Sequence, residues 1–136
     1  IFVHSEYMGK NSSFKADDVN ETLMSFPQLN FIFSLTKSID YIVPEPNTYF
    51  ETSHASKDEL YKALETYSKD KILYSSDFKY NYYPVGEIDK INSLDIEPED
   101  KERILGGNAA EALRLPLIKK TDISEKMGFL KKLIRR

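Results

Sequence analysis

Apolar positions along the chain alternate between short uninterrupted runs and stripes spaced three or four residues apart. The runs lie at residues 1–3, 29–35, 48–52 and 71–74. Rich in β-branched and aromatic residues and bounded by polar or proline-containing segments, they predict short buried strands. Val19, Leu23 and Phe26 form the stripe of a helix over residues 17–26, which Pro27 ends. Leu60, Leu64 and Tyr67 form a second stripe, opened by Ser56 and Glu59 in the spacing of a capping box. A weaker helical pattern follows at Val85, Ile88 and Ile91. Pro98 opens a further helix whose first turn carries Glu99, Asp100 and Glu102. Gly106-Gly107 is expected to interrupt that helix before residues 108–113 resume it. Residues 5–15 and 36–47 read as loops. Strands alternating with helices predict an α/β fold with crossover connections and a parallel sheet. No internal repeat or linker divides the chain.

Composition narrows the class. A chain of 136 residues, 40% hydrophobic and 30% charged, fits one globular domain and excludes disorder. The net charge of −3 excludes a general nucleic-acid binder. There is no cysteine, which removes disulfide scaffolds, thiolate metal sites and a cysteine nucleophile, and points to a reducing, cytoplasmic setting. No apolar run approaches the roughly 18 residues needed to span a bilayer. The opening Ile-Phe-Val-His, in mid-strand and without Met, reads as part of a longer chain. From Arg114 to Arg136, eight basic residues against Asp122 and Glu125 give +6 and leave −9 on the remainder. Ile123, Met127, Leu130 and Ile134 make this end amphipathic. It is expected to pack on its own domain, not on a membrane or nucleic acid.

In parallel α/β folds the working residues sit at the C-terminal ends of strands. That filter selects His4, Ser34, Ser53, His54 and Asp77. His4 and Asp77 stand out because each closes an apolar run. Imidazole and carboxylate suit a zinc-like ion that activates water, and the carboxylate is also a candidate general base. His54, between Ser53 and the capped helix, reads as exposed loop. Tyr80, Tyr82 and Tyr83 could wall an aromatic pocket or pack under a loop. The sequence carries no glycine-rich phosphate loop and no Gly-x-Ser-x-Gly elbow.

Three segments, in order, resemble the amidohydrolase-related family. The segment Lys-Ile-Leu-Tyr-Ser-Ser-Asp-Phe at 71–78 is similar to the last barrel strand of that family. Residues 102–115 resemble its closing helix, with Ile104, Leu105, Gly106, Gly107, Asn108 and Ala109 matching without a gap. Pro-Asn-Thr-Tyr-Phe-Glu-Thr-Ser at 46–53 is similar to its seventh strand, and residues 1–4 and 26–33 resemble the fifth strand and the approach to the sixth.

The resemblance implies the C-terminal half, strands five to eight, of a TIM-like (β/α)8 barrel over residues 1–116, followed by the basic tail 117–136. It implies a metal-dependent hydrolase acting on C–N or C–O bonds, with decarboxylation also found in the family. The ion, zinc or manganese, would be held by His4 as the strand-five ligand and Asp77 as the strand-eight ligand. Asp77 would also be the catalytic proton carrier. The implied partners are a small-molecule substrate and an N-terminal half-barrel, or a second copy in a homo-oligomer. One position departs from the pattern: Leu35 stands where the strand-six histidine belongs. That departure is the mark of the rival reading, a binding or scaffold domain without its metal. An independent four-stranded α/β domain is the third.

Overall fold

The computed structural model describes residues 1–3, 15–78 and 84–116. Four strands, β1 (Phe2–Val3), β2 (Phe31–Ser34), β3 (Thr48–Glu51) and β4 (Ile72–Leu73), form one sheet in the order β1-β2-β3-β4. Every pairing is parallel, with Val3 beside Phe33, Phe33 beside Phe50, and Phe50 beside Ile72. Helices α1 (Ala16–Ser25), α2 (Leu35–Ser38) and α3 (Lys57–Tyr67) make the successive connections. After β4 come α4 (Pro84–Asn92), α5 (Pro98–Glu102), a π-helical turn (Arg103–Gly107) and α6 (Asn108–Ala112). Parallel neighbours need such crossovers, since a tight hairpin cannot reverse the chain direction. Among the described residues no helix is long and apolar enough to cross a membrane.

Strand alternation divides the sheet into two faces. Phe31, Phe33, Phe50 and Ile72 point to the helices and pack with Leu23, Leu60, Ala63, Tyr67, Ile91, Leu94 and Ile104 in the main core. The Phe50 and Tyr67 rings lie 4.1 Å apart. Ile32, Tyr49 and Leu73 form a smaller cluster on the opposite face with Ala112, and Ala109 packs against it. Phe2, in register with Ile32 on β1, is 57% exposed. The sheet thus buries its helical face from β2 to β4, with Val3 of β1 only partly covered, and its second face only in the middle.

The predicted helices form where the stripes place them. The capping box is present: Ser56 Oγ accepts from the Glu59 N–H, and Glu59 accepts from the Ser56 N–H. Two expectations are corrected. The apolar run at 29–35 does not stay extended to its end, because Leu35 starts α2 and drops into the core with no exposure. The stretch 36–47 is therefore partly helical, and side chains fasten the rest. Tyr67 Oη donates to Ile39 O and Ile42 O, and Asn20 bridges Tyr41 O and the Val43 N–H. Second, Gly106-Gly107 does not break the last helix. The Asn108 N–H reaches back to Arg103 O, the five-residue bond of a π turn, and the chain stays helical on both sides. Neither glycine has a positive φ, and a Cβ at Gly106 would meet nothing within 4 Å.

What fixes this segment is Asn108. It is buried, and its Nδ2 donates to Lys69 O at 2.7 Å and Ile72 O at 2.8 Å. Tyr74 N–H donates to Ile104 O at 2.9 Å. The turn thereby supplies hydrogen bonds to β4 on the side that no described strand pairs.

Two outcomes follow from these buried polar groups. Asn108→Ala should destabilise the fold by about 2–4 kcal/mol, because it leaves two carbonyls unmet and opens a small void; urea unfolding measures it. Burial first, and then the Asp40 carboxylate, push the Tyr67 hydroxyl up to about 12. The folded state therefore keeps a proton that the unfolded chain loses near 10. The contribution from Tyr67 is complete below pH 10 and lost as pH climbs toward 12. Tyr67→Phe should flatten the decline of stability across that window, and its absolute cost should be about 1–3 kcal/mol.

Candidate active site at the strand ends

The parallel register brings the C-terminal ends of β2, β3 and β4 to one edge, with Ser34 beside Glu51 and Glu51 beside Leu73. Beyond those residues the ladder stops, and side chains take over. Thr52 N–H donates to Leu73 O at 3.0 Å, and the buried Thr52 hydroxyl accepts from Ser75 N–H at 3.1 Å. One residue thus carries the β3–β4 pairing two positions past the strand end.

The turn after Thr52 is fastened from three sides. Ser53 N–H donates to Glu51 Oε2 at 2.8 Å. Ala55 N–H donates to Thr52 O at 3.2 Å. From α4, Lys90 Nζ donates to Ala55 O at 2.7 Å and Thr52 O at 3.3 Å while paired with Glu87 at 2.5 Å. Lys90 and Glu87 are both largely buried.

This turn carries His54 to Asp77. Nε2 of His54 lies 2.9 Å from Oδ2 of Asp77, with the two side chains 37% and 26% exposed. Both residues have left-handed backbone, φ 62 at His54 and 45 at Asp77. Non-glycine residues rarely adopt this conformation, at a cost of about 1–2 kcal/mol each. Of the other two described examples, Arg114 follows the last turn after α6, where left-handed residues commonly end helices, and Ser68 directly follows α3 with a positive φ and an extended ψ of 146°. His54 precedes a helix and Asp77 follows a strand, so helix termination does not account for them. Paired backbone strain of this kind concentrates at functional sites.

The sequence-selected residues fare differently. Asp77 lies past the end of β4, at the edge the strand-end rule selects. His4 follows Val3, the last residue of β1, and lies outside the described residues, as do Tyr80, Tyr82 and Tyr83. His54, read as exposed loop, is instead half-exposed and tied to Asp77. Leu35 is sealed in the helical core and offers no ligand. Glu51 was not singled out, yet it is a carboxylate only 3% exposed at the end of β3, facing away from the helices. The visible signal was an acidic residue between Phe50 and Thr52 in an otherwise uncharged run. Among the described residues, no three His, Cys, Asp or Glu side chains cluster as a metal site. A carboxylate such as that of Asp77 can serve as one oxygen ligand of an ion, and a zinc site needs three or four donors.

Residues 21–115 match the amidohydrolase family model. No curated protein sequence matches the chain. Among solved structures, 5-carboxyvanillate decarboxylase from Sphingomonas paucimobilis is similar at 18% identity and TM-score 0.61, over 71% of this chain and 37% of that one. A dihydroxybenzoic acid decarboxylase from Polaromonas, with bound manganese and the inhibitor 2-nitroresorcinol, is similar at 19% identity and TM-score 0.58, over 70% and 36%. A 4-oxalomesaconate hydratase from Rhodopseudomonas palustris is similar at 16% identity and TM-score 0.52, over 82% and 40%. At these identities the likeness is one of fold. The chain spans well under half the length of each of these structures.

Thr52 is the test of how the site is held. Thr52→Val keeps the shape and removes the hydroxyl, so it should cost about 1–3 kcal/mol. Amide exchange at Ser75 should quicken more than exchange in α3. Equal quickening throughout would show that Thr52 supports the whole fold and not this edge.

Proposed function

The chain belongs to the amidohydrolase family, and on that premise we propose that it supplies strands five to eight of a (β/α)8 barrel whose parent is a metal-dependent enzyme acting on a small molecule. The observation that carries this reading is Asp77: a carboxylate at the C-terminal edge of a parallel sheet, in strained backbone, held by a histidine. His4 and Asp77 would hold a divalent ion, zinc or manganese, with further ligands from strands outside this chain. When bound, such an ion supplies positive charge that polarises the substrate and eases proton loss from water. Asp77 would accept that proton.

Among the described residues β1 and β4 end the sheet, which supports the half-barrel reading, because a terminal strand is where a further strand or cover is placed. An N-terminal half-barrel, or a second copy of the chain, would cover them. The basic tail 117–136, expected to pack on its own domain, lies outside the described residues. The absence of cysteine suits a cytoplasmic enzyme.

The sequence resemblance favours hydrolysis of a C–N or C–O bond. A second reading, decarboxylation of a small carboxylic acid, is favoured by the decarboxylases among the structures of like fold. The rival without catalysis rests on Leu35. The test is the assembled barrel and its Asp77→Asn form, assayed for manganese and zinc content and against amides, esters and carboxylated phenols. Turnover of one class should fall by roughly 10²–10⁴-fold on substitution, since an amide neither carries the charge nor takes the proton. A folded, metal-free parent with no turnover would leave the scaffold reading standing.

A further inference from the structure

We infer that His54 is the positioning residue for Asp77: its ring holds one carboxylate oxygen and so fixes the other as the oxygen offered to an ion. This rests on the proposed role of Asp77 as a ligand. An ionised carboxylate only accepts hydrogen bonds, so the 2.9 Å contact makes His54 Nε2 the donor to Oδ2. With Oδ2 engaged, Oδ1 is the oxygen left for a ligand bond, and the carboxylate is restrained from turning. Carboxylate ligands at metal sites are ordinarily oriented by such outer hydrogen bonds.

The local structure is built around that contact. Glycine would make the turn at residue 54 with no strain, since it adopts φ 62 freely. A histidine there costs backbone energy that its ring must justify. The turn is also over-determined. Glu51 accepts from the Ser53 N–H, Lys90 donates to Thr52 O and Ala55 O, and Ala55 N–H donates to Thr52 O; none of these bonds involves the ring. The turn is thus held on both sides of His54 by bonds to its neighbours, and from it the ring reaches Asp77. The two turns follow different strands, so the contact forms only when β3 and β4 pair in register.

The test is calorimetric titration of Mn²⁺ into the metal-free assembled barrel, in the wild type and four variants, with thermal unfolding of each. His54→Gly removes the ring without straining the turn and should weaken Mn²⁺ binding by roughly 10–100-fold. The melting temperature of the metal-free protein should scarcely move. His54→Asn tolerates the left-handed backbone but is too short to reach, and should behave like His54→Gly; it serves if the glycine variant folds poorly. His54→Gln keeps a donor at about the same reach and should restore most of the affinity. Asp77→Asn should abolish tight binding. If Asp77→Asn loses the ion and neither His54→Gly nor His54→Asn weakens it, this inference is overturned and the role of Asp77 survives. If Asp77→Asn binds Mn²⁺ as the wild type does, or the wild type binds none, both fall.

Discussion

A parallel sheet whose strands are two to four residues long leaves many of its backbone groups outside the ladder, and the rest of this structure depends on how they are met. Buried N–H and C=O groups without partners cost as much as the sheet gains from several of its own bonds. The chain answers with buried polar side chains. Asn47 places its amide within 3.1 Å of Leu23 O, Phe26 O and Leu29 O, closing the passage from α1 into β2. Thr52 extends the pairing of β3 with β4, and Asn108 meets the outer carbonyls of β4. Each sits where a regular element ends and the apolar core does not. Each therefore fixes a register that packing alone would leave loose.

These anchors also explain why the two sides of the sheet differ. On the helical face, large side chains from three strands and four helices interlock, and Phe33, Phe50 and Ile72 have no exposure. On the other face, small residues of α6 cover Ile32, Tyr49 and Leu73, while Phe2 is 57% exposed. A barrel wall shares the first of these features, a sheet face packed by its crossover helices, whereas here α6 also covers part of the second face. The observed sheet has the sidedness that the proposed half-barrel requires.

Much of the fold was legible from local pattern. The strands, α1, α3 and the capping box depend on residues close in sequence, where periodicity carries the information. Asp77 was legible too, because a polar residue closing an apolar run marks a strand end. What could not be read depends on distant partners. His54 meets Asp77 across 23 positions, and only the β3–β4 register brings them together. Glu51 looks like one more residue of an aromatic strand until burial shows it at the sheet edge. At Gly106-Gly107 glycine propensity suggested a break, whereas long-range bonds to Tyr74 and from Asn108 keep the helix running as a π turn. Tertiary hydrogen bonding overrode local preference there.

The distribution of strain against support gives the site its physical sense. Left-handed backbone at His54 and Asp77 works against folding, whereas Thr52, Lys90 and Glu51 on the same edge work for it. The stabilising bonds go to backbone groups, and the pair they support joins side chain to side chain. Removing a support would loosen the fold; removing the pair would relax strain while losing the contact. A chain shaped for stability alone would keep the first set and replace the second with glycine or asparagine. That both are present at the C-terminal edge of a parallel sheet, where barrel chemistry is placed, is the reason to read the edge as a site and not only as the end of two strands.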